Sequence, residues 1–498
     1  MPRDERSRLR RAGLTSAAAA ALLLAGCNLA PHYTQPQLTA PPAPAYKQSG
    51  PWAPAVPADE VVRGDWWTAF DDPTLDTLEQ EVATANPTLA AAVSAYDQSR
   101  AYAAEARAGL FPSLTFGGSF TANRQSDHRP VRGRNEPDLY PADTVAGQVN
   151  YEFDFWGRVR NLVAEGRAEA QASAADLATA RLSLQAQLAD DYIGLRGLDA
   201  QAALLNDTVA AYQKALDLTQ ARHRGGVASG LDVDRAAAQL ASAKTQISEV
   251  AASRALYENA IASLVGQAAP GFQLAASNAP RVIPAVPTGL PSTLVERRPD
   301  VAAAERRAFA ANRGIGVARA AFFPDFTLDA LLGFQNTGFP GLVSVPNSIW
   351  SIGTTVAEPI FEGGRRHAAL AASKAAFVQA SAYYRATVLA AFEQVQDGIS
   401  QAADFATESR DSADAVTASR ATTRLSLIRY RQGATNYLDV VIAQTAELQA
   451  EQQDIALQTR RQANAVQLVR ALGGGWSVTD LPTSHQASQL ARAGAGGT

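Results

Sequence analysis

"RHRGGVASGLDVDRA" at residues 222–236 and "RYRQGATNYLDVVIA" at 429–443 are two versions of one corner. Each passes from arginine-bearing, helix-favouring sequence through glycine and on to "LDV". Arginine followed by glycine fits a helix C-terminus closed by a left-handed residue. A second helix then starts near Leu231 or Leu438 and runs back along the first. The chain therefore contains the same helical hairpin twice.

Upstream of each corner lies a long stretch without proline, from Arg158 to Arg222 and from Arg365 to Arg431. A run of about 65 residues spans roughly 100 Å at the α-helical rise. Globular helices are far shorter, so these two need partners along their whole length and are expected to pack as coiled coils.

The duplication extends to the rest of the chain at a period of 207 to 212 residues. "NPTLAAAVSA" at 86–95 answers "RPDVAAAERR" at 298–307. "GLFPSLTF" at 109–116 answers "AFFPDFTL" at 321–328. "FDFWGRVR" at 153–160 answers "IFEGGRRH" at 360–367, and "IASLVG" at 261–266 answers "LVRALGG" at 468–474. Five matches in one order identify a tandem duplication. Each unit opens with a helix, expected at about 72–109 and 292–321, and continues into a strand pair.

The strands carry two-residue alternation. Val145, Gly147, Val149, Tyr151, Phe153 and Phe155 interleave with Ala146, Gln148, Asn150, Glu152 and Asp154. Phe326, Leu328, Ala330, Leu332 and Phe334 interleave with Thr327, Asp329 and Gln335, although Leu331 breaks the polar face. Polar loops are expected at 124–144 and 337–347, and Trp156, Phe322, Phe323, Trp350 and Phe361 gather at strand ends. An apolar-out, polar-in strand with aromatic ends fits a membrane barrel; a half-buried hairpin of a soluble protein alternates as well. The long helices favour the barrel. Four strands cannot close one, since the smallest membrane barrels have eight. Three copies supply twelve and leave no open edge.

The only cysteine is Cys27, at the end of "LLLAGC". Before it come Arg3, Arg6, Arg8, Arg10 and Arg11, then an uncharged run from Leu14 to Ala25. A basic start, a short apolar core and small residues at the cut form a signal peptide. The stretch resembles a bacterial lipobox, which implies cleavage before Cys27 and lipid on its sulfur; an ordinary signal peptide with an incidental cysteine is the alternative. Asn28, in place of an Asp, implies an outer-membrane address. The Pro-rich segment from Pro31 to Pro57 is expected to be an extended tether, and the tail after Trp476 poorly ordered. The expected organisation is a signal peptide at 1–26, a lipidated tether at 27–64, repeats at 65–285 and 286–476, and a tail at 477–498.

Net charge is −4 over 498 residues, which argues against a nucleic-acid partner. No run after the leader reaches the roughly 18 apolar residues of a membrane helix. The five histidines, His32, His128, His223, His367 and His485, are not spaced as helix ligands. No nucleophile motif occurs. Neither enzyme activity nor a cofactor or metal is expected.

"RRPDVAAAE", "FFPDFTL", "VAEPIFEGGRR" and "RYRQGATNYLDVVIAQ" together resemble the outer-membrane factors, the TolC-like channels of efflux and secretion systems, and most of all their NodT-type lipoprotein branch. The resemblance covers about residues 60–476. It implies an α+β membrane protein of tandem helix–hairpin–long-helix units. Three chains would form a twelve-stranded barrel in the outer membrane, continuous with a twelve-helix periplasmic α-barrel. The implied partners are a periplasmic adaptor and an inner-membrane pump, with outer-membrane lipid around the barrel.

The resemblance also implies a gate at the hairpin tips. Asp439 matches the family's first gate acid. The second acid is replaced by Ile442 and the latch arginine by Thr435. Asp232 matches the partner acid, with Asp234 beside it. Each Asp would serve equally as a first-turn residue favouring a helix N-terminus. Adaptor docking would use Gly225, Gly226, Val227, Gln432, Gly433 and Ala434, residues that also fit plain helix caps. Val149, Tyr151, Phe153, Phe155, Phe326 and Leu328 would face lipid. The function implied is a passive export duct for drugs or toxic compounds, of the kind paired with RND-type pumps. The alternatives are a type I protein-secretion duct, a periplasmic coiled-coil scaffold without a pore, and an uptake porin; the long helices speak against the last.

Overall fold

The computed structural model describes residues 28–38, 65–126, 138–279, 282–284, 286 and 298–475. In chain order the principal elements are α1 (Pro73–Ala85), α2 (Pro87–Ala108), β1 (Ser113–Arg124), β2 (Leu139–Glu152), α3 (Arg158–Arg224) and α4 (Gly230–Leu264). The second half supplies α5 (Pro299–Ala320), β3 (Asp325–Asn336), β4 (Ser348–Ala357), α6 (Arg365–Arg431) and α7 (Tyr437–Ala471). The duplication is close: α3 and α6 have 67 residues each, and α4 and α7 have 35 each. Gly157 and Gly364 precede the long helices in left-handed conformation, at φ 77° and 87°. Only glycine enters that region at no steric cost.

The helix expected at 72–109 is two helices. Pro87 has no N–H to donate and holds Asn86 extended, which ends α1. The Asn86 side chain then accepts from Leu89 N at 2.9 Å, capping α2. Its amide nitrogen donates to Leu264 O at 2.7 Å, which pins the corner to the end of α4. In the second half, α5 begins at Pro299; Ser292, the expected start, lies outside the described residues.

The core lies where α1, α3, α6 and α7 meet. Trp66, Trp67, Leu75, Leu78, Val82, Leu188, Leu195, Val388, Val395 and Leu468 are buried there. Each such aliphatic side chain contributes about 1.5–3 kcal/mol. Nearer the corners, Tyr212, Leu216, Leu240, Tyr430, Tyr437 and Val440 form a second cluster. Leu205, Val250 and Leu448 form a small one beside it. The long helices are thus supported by successive clusters rather than by one centre. Among the described residues, no helix is long and apolar enough to cross a membrane.

The four strands form one antiparallel sheet in the order β1-β2-β3-β4. β2 starts at Leu139, inside the expected loop, and ends at Glu152. Phe153 and Phe155 therefore lie past the strand, not within it. Phe153 N still donates to Phe326 O at 2.8 Å. Asp154 does not continue the polar face of the strand. Its carboxylate accepts from Val159 N at 3.1 Å and Arg160 N at 2.8 Å, using two of the free donors at the start of α3.

The segment 28–38 corrects the tether expectation for residues 31–38. Tyr33 donates to Glu305 Oε1 at 2.7 Å and packs edge-on against Phe309 at 5.1 Å. Gln35 donates to the Tyr384 hydroxyl at 2.6 Å, and Arg385 donates to Gln37 O at 2.9 Å. Tyr33 and Gln35 are thus held side chain to side chain, and Gln37 O is a backbone acceptor that Arg385 of α6 satisfies. Residues 1–27, 39–64 and 476–498, with the expected leader, the rest of the tether and the tail, lie outside the described residues.

Candidate functional site

The two corners are built alike. At the first, Val227 N donates to Arg222 O and Gly226 N to His223 O, both at 2.9 Å. At the second, Ala434 N donates to Arg429 O at 2.9 Å and Gly433 N to Tyr430 O at 3.0 Å. These bonds close each helix with Gly226 or Gly433 left-handed, at φ 76° and 75°. A Cβ at Gly226 would meet nothing within 4 Å, so conformation, not space, selects glycine there. Gly225 precedes it with ordinary φ −80°. Val227, Gln432, Gly433 and Ala434 are exposed at the extremity of the hairpins.

Both return helices start on a capped aspartate turn. Ser229 and Asp232 form a reciprocal box: Asp232 N donates to Ser229 Oγ at 3.2 Å, and Ser229 N donates to Asp232 Oδ2 at 3.3 Å. Arg235 lies 3.7 Å from the same carboxylate. Asp234 is exposed beside it. At the second corner Asn436 caps α7 by accepting from Asp439 N at 3.2 Å. Thr435 donates its hydroxyl to the Asp439 carboxylate. Position 435 thus holds the Asp439 carboxylate within its own hairpin, by a hydrogen bond instead of an ion pair. Asp439 and Ile442 are exposed on one face of α7, whereas Tyr437 and Val440 are buried on the other. The residues matched from sequence fall into two separate groups, Asp232 with Ser229 and Arg235, and Asp439 with Thr435 and Ile442. What the sequence reading missed is the contact between the hairpins, made by Arg222 and Tyr430. The repeat alignment, where Tyr430 stands against His223, carries no signal of this contact.

The sheet is two-faced. Asn150 opposes Asp329 and donates to it at 2.7 Å. Gln335 donates to Thr144 at 3.1 Å, and Thr355 donates to Asp329 at 3.3 Å. Thr115 opposes Gln148 in the same row system. The opposite face carries Leu114, Phe116, Val149, Tyr151, Phe326, Leu328, Leu332, Trp350 and Ile352. Much of it is bare in the isolated chain: Phe116 is 80% exposed, Leu332 69% and Trp350 74%. Apolar surface left so open marks contact with something other than water. Near the helices it ends in an aromatic cluster. Tyr151 and Phe153 rings lie 5.3 Å apart, Phe153 and Phe155 5.8 Å, and Phe155 and Phe326 5.2 Å. Trp156 stacks on Phe323 at 4.6 Å and donates to Pro324 O at 2.8 Å. Cys27 lies outside the described residues. Its neighbour Asn28 accepts from buried Asn161 Nδ2 at 3.0 Å, at the first turn of α3 beside this cluster.

A sheet with one bare apolar face, mounted on paired helical hairpins, is the build of a membrane-associated protein with long helical extensions. The chain belongs to the outer membrane efflux protein family, whose model matches residues 78–267 and 290–474. It is similar to the antibiotic efflux pump outer membrane protein ArpC of Pseudomonas putida, at 31% identity over 95% of this chain and 98% of that one. The toluene efflux pump outer membrane protein TtgC, also of Pseudomonas putida, matches at the same 31% identity, with 95% and 98% covered. A crystal structure of a membrane protein from Pseudomonas aeruginosa superposes with a TM-score of 0.83 at 29% identity, covering 91% of this chain and 98% of that one. The protein is an outer-membrane efflux component.

Proposed function

We propose that three copies of the chain form a closed duct through the outer membrane and periplasm, through which small organic molecules leave the cell passively. The observation that carries this reading is the pair of open sheet edges. Among the described residues β1 pairs only with β2, and β4 only with β3. An exposed edge of twelve or ten residues invites pairing with another copy. Three four-stranded sheets would give a twelve-stranded barrel with Leu114, Phe116, Val149, Tyr151, Phe326, Leu328 and Leu332 towards lipid. Phe153 and Phe155 would sit at its periplasmic rim. Twelve helices, four from each chain, would continue the wall, and the corners would face an adaptor and an inner-membrane pump that supplies the energy.

The organisation that accompanies this reading is a cleaved leader at 1–26, lipid on Cys27, two efflux repeats at 65–285 and 286–476, and a tail at 477–498. Asn28 is held beside the aromatic cluster, so lipid on the preceding residue would enter the membrane at the rim of the barrel. At the far end, a ring of three Asp439 carboxylates would favour cations. The antibiotic and toluene named for the relatives support small, largely apolar compounds as cargo.

Native mass spectrometry of detergent-extracted protein tests the assembly. The expected species is a trimer of the chain. A water-soluble monomer would contradict the duct and favour a periplasmic scaffold.

A further inference from the structure

We propose that Arg222 is the latch that ties the two hairpins of one chain together at their tips and holds the resting duct narrow. The proposal rests on reading the tips as the gate.

Arg222 lies in the last turn of α3 and reaches across to the last turn of α6. Its Nη1 donates to Arg431 O at 3.1 Å. That carbonyl is among the last four of α6, which have no partner inside their own helix. It also lies at the negative end of the helix dipole, where a cation is favoured. The same guanidinium sits 4.8 Å from the centroid of the Tyr430 ring. Tyr430 is itself fixed: its ring meets Tyr437 at 5.2 Å, and its hydroxyl donates to Thr219 Oγ1 of α3 at 3.4 Å. The approach to the second corner is close: Arg222 Nη2 lies 3.8 Å from where a Cβ of residue 433 would stand, an ordinary van der Waals contact. One side chain of the first repeat thus grips a carbonyl and a ring of the second.

The acids do not perform this task. Asp232 is held by Ser229 and Arg235, and Asp439 by Thr435, each within its own hairpin. Further from the tips the hairpins are joined by neutral rungs. Tyr212 donates to Gln444 O at 3.2 Å, Gln239 to Thr445 at 2.8 Å, and Gln452 to Gln246 at 2.8 Å. Arg222 is the rung nearest the corners, and it is charged; a further charged contact between the hairpins, Gln467 donating to the Asp190 carboxylate, lies much further from the tips. Separating the tips must break its stacking and its hydrogen bond together, while the rungs behind it can act as the hinge.

The geometry requires arginine. Only a planar guanidinium stacks on the ring while donating in its own plane; an ammonium keeps the charge and loses that combination. Arg222→Lys should therefore behave like Arg222→Ala. Arg224→Ala, an exposed neighbour with the same change in charge, is the control.

The experiment uses full-length trimers, with two readouts. One is hydrogen exchange of the tip amides, in peptides covering 218–232 and 425–440. The other is resting conductance in planar bilayers. Arg222→Ala and Arg222→Lys should each raise tip exchange and resting conductance several-fold, with Arg224→Ala matching the unmodified protein in exchange. Unchanged exchange in both Arg222 variants would overturn the latch. Faster exchange with unchanged conductance would keep the latch and overturn the reading of the tips as the gate.

Discussion

Thr435 donates its hydroxyl hydrogen bond to the Asp439 carboxylate across the first turn of α7. The family resemblance implies an arginine at 435, and this residue cannot neutralise the acid. Three Asp439 side chains around a narrow axis should therefore present unpaired negative charge to a passing ion. Asp439→Asn should weaken cation selectivity and relieve block by divalent cations, measured as reversal potential and current in planar bilayers. Thr435→Arg should do the same and lower resting conductance. Unchanged selectivity in an assembled Asp439→Asn trimer would reduce the acid to a first-turn helix residue. Asp232→Asn acts elsewhere: it disturbs the reciprocal cap of α4, at a cost of about 0.5–2 kcal/mol in stability, with less effect on selectivity.

The two faces of the sheet give a paired test. Leu332 lies on the bare apolar face, opposite Trp350 on β4 and Gly147 on β2. Leu332→Arg should cost about 2–4 kcal/mol if it meets the middle of a bilayer, seen as loss of trimer in detergent. Thr115→Arg, on the polar face, should leave trimer yield unchanged. Equal yields would mean that the sheet does not separate lipid from lumen.

Glu79 of α1 is fully buried, and both carboxyl oxygens lack a hydrogen-bond partner. Burial, with some repulsion from Asp76, raises its pKa from 4.5 to about 9. Below the lower value the group is protonated in both the folded and unfolded chain and does not make stability depend on pH. Between the two values the unfolded chain releases its proton and the folded chain keeps it, so stability falls as pH rises. Glu79→Gln should flatten the melting temperature between pH 5 and 9 and raise it at the alkaline end. A slope unchanged by Glu79→Gln would show that the carboxyl is hydrated in solution.

Cys27 should carry lipid as the first residue of the mature chain, which mass spectrometry of the N-terminal peptide will reveal. A free thiol, or residues 1–26 retained, would contradict this. Cys27→Ala should reduce the amount reaching the outer membrane more than the conductance of each assembled channel, because in the proposed duct the barrel itself holds the bilayer.

The duplication was the most legible feature, because glycine at 226 and 433 and the proline-free runs before them are backbone requirements written directly in residue type. The break at Asn86-Pro87 was legible in principle, but the apolar pattern on both sides of it reads as one helix. The end of β2 was not legible. Alternation continues to Phe155, yet Asp154 is taken by the free N–H groups of α3, a demand that appears only once the helix start is fixed. The docking of residues 28–38 was hidden for the same kind of reason: its partners Glu305, Tyr384 and Arg385 are 272 to 349 residues away in sequence. At the site, residue types at 435, 439 and 442 could be read from the repeat, but the grip of Arg222 on Tyr430 depends on how two distant hairpins lie side by side.

The most direct test of the duct is single-channel recording from purified trimers reconstituted in a planar bilayer. Discrete, long-lived, cation-selective steps should appear, and divalent cations added on the side of the hairpin tips should block them. Trimers that insert into the bilayer but carry no current, in both the unmodified protein and Arg222→Ala, would contradict a continuous pore through the molecule.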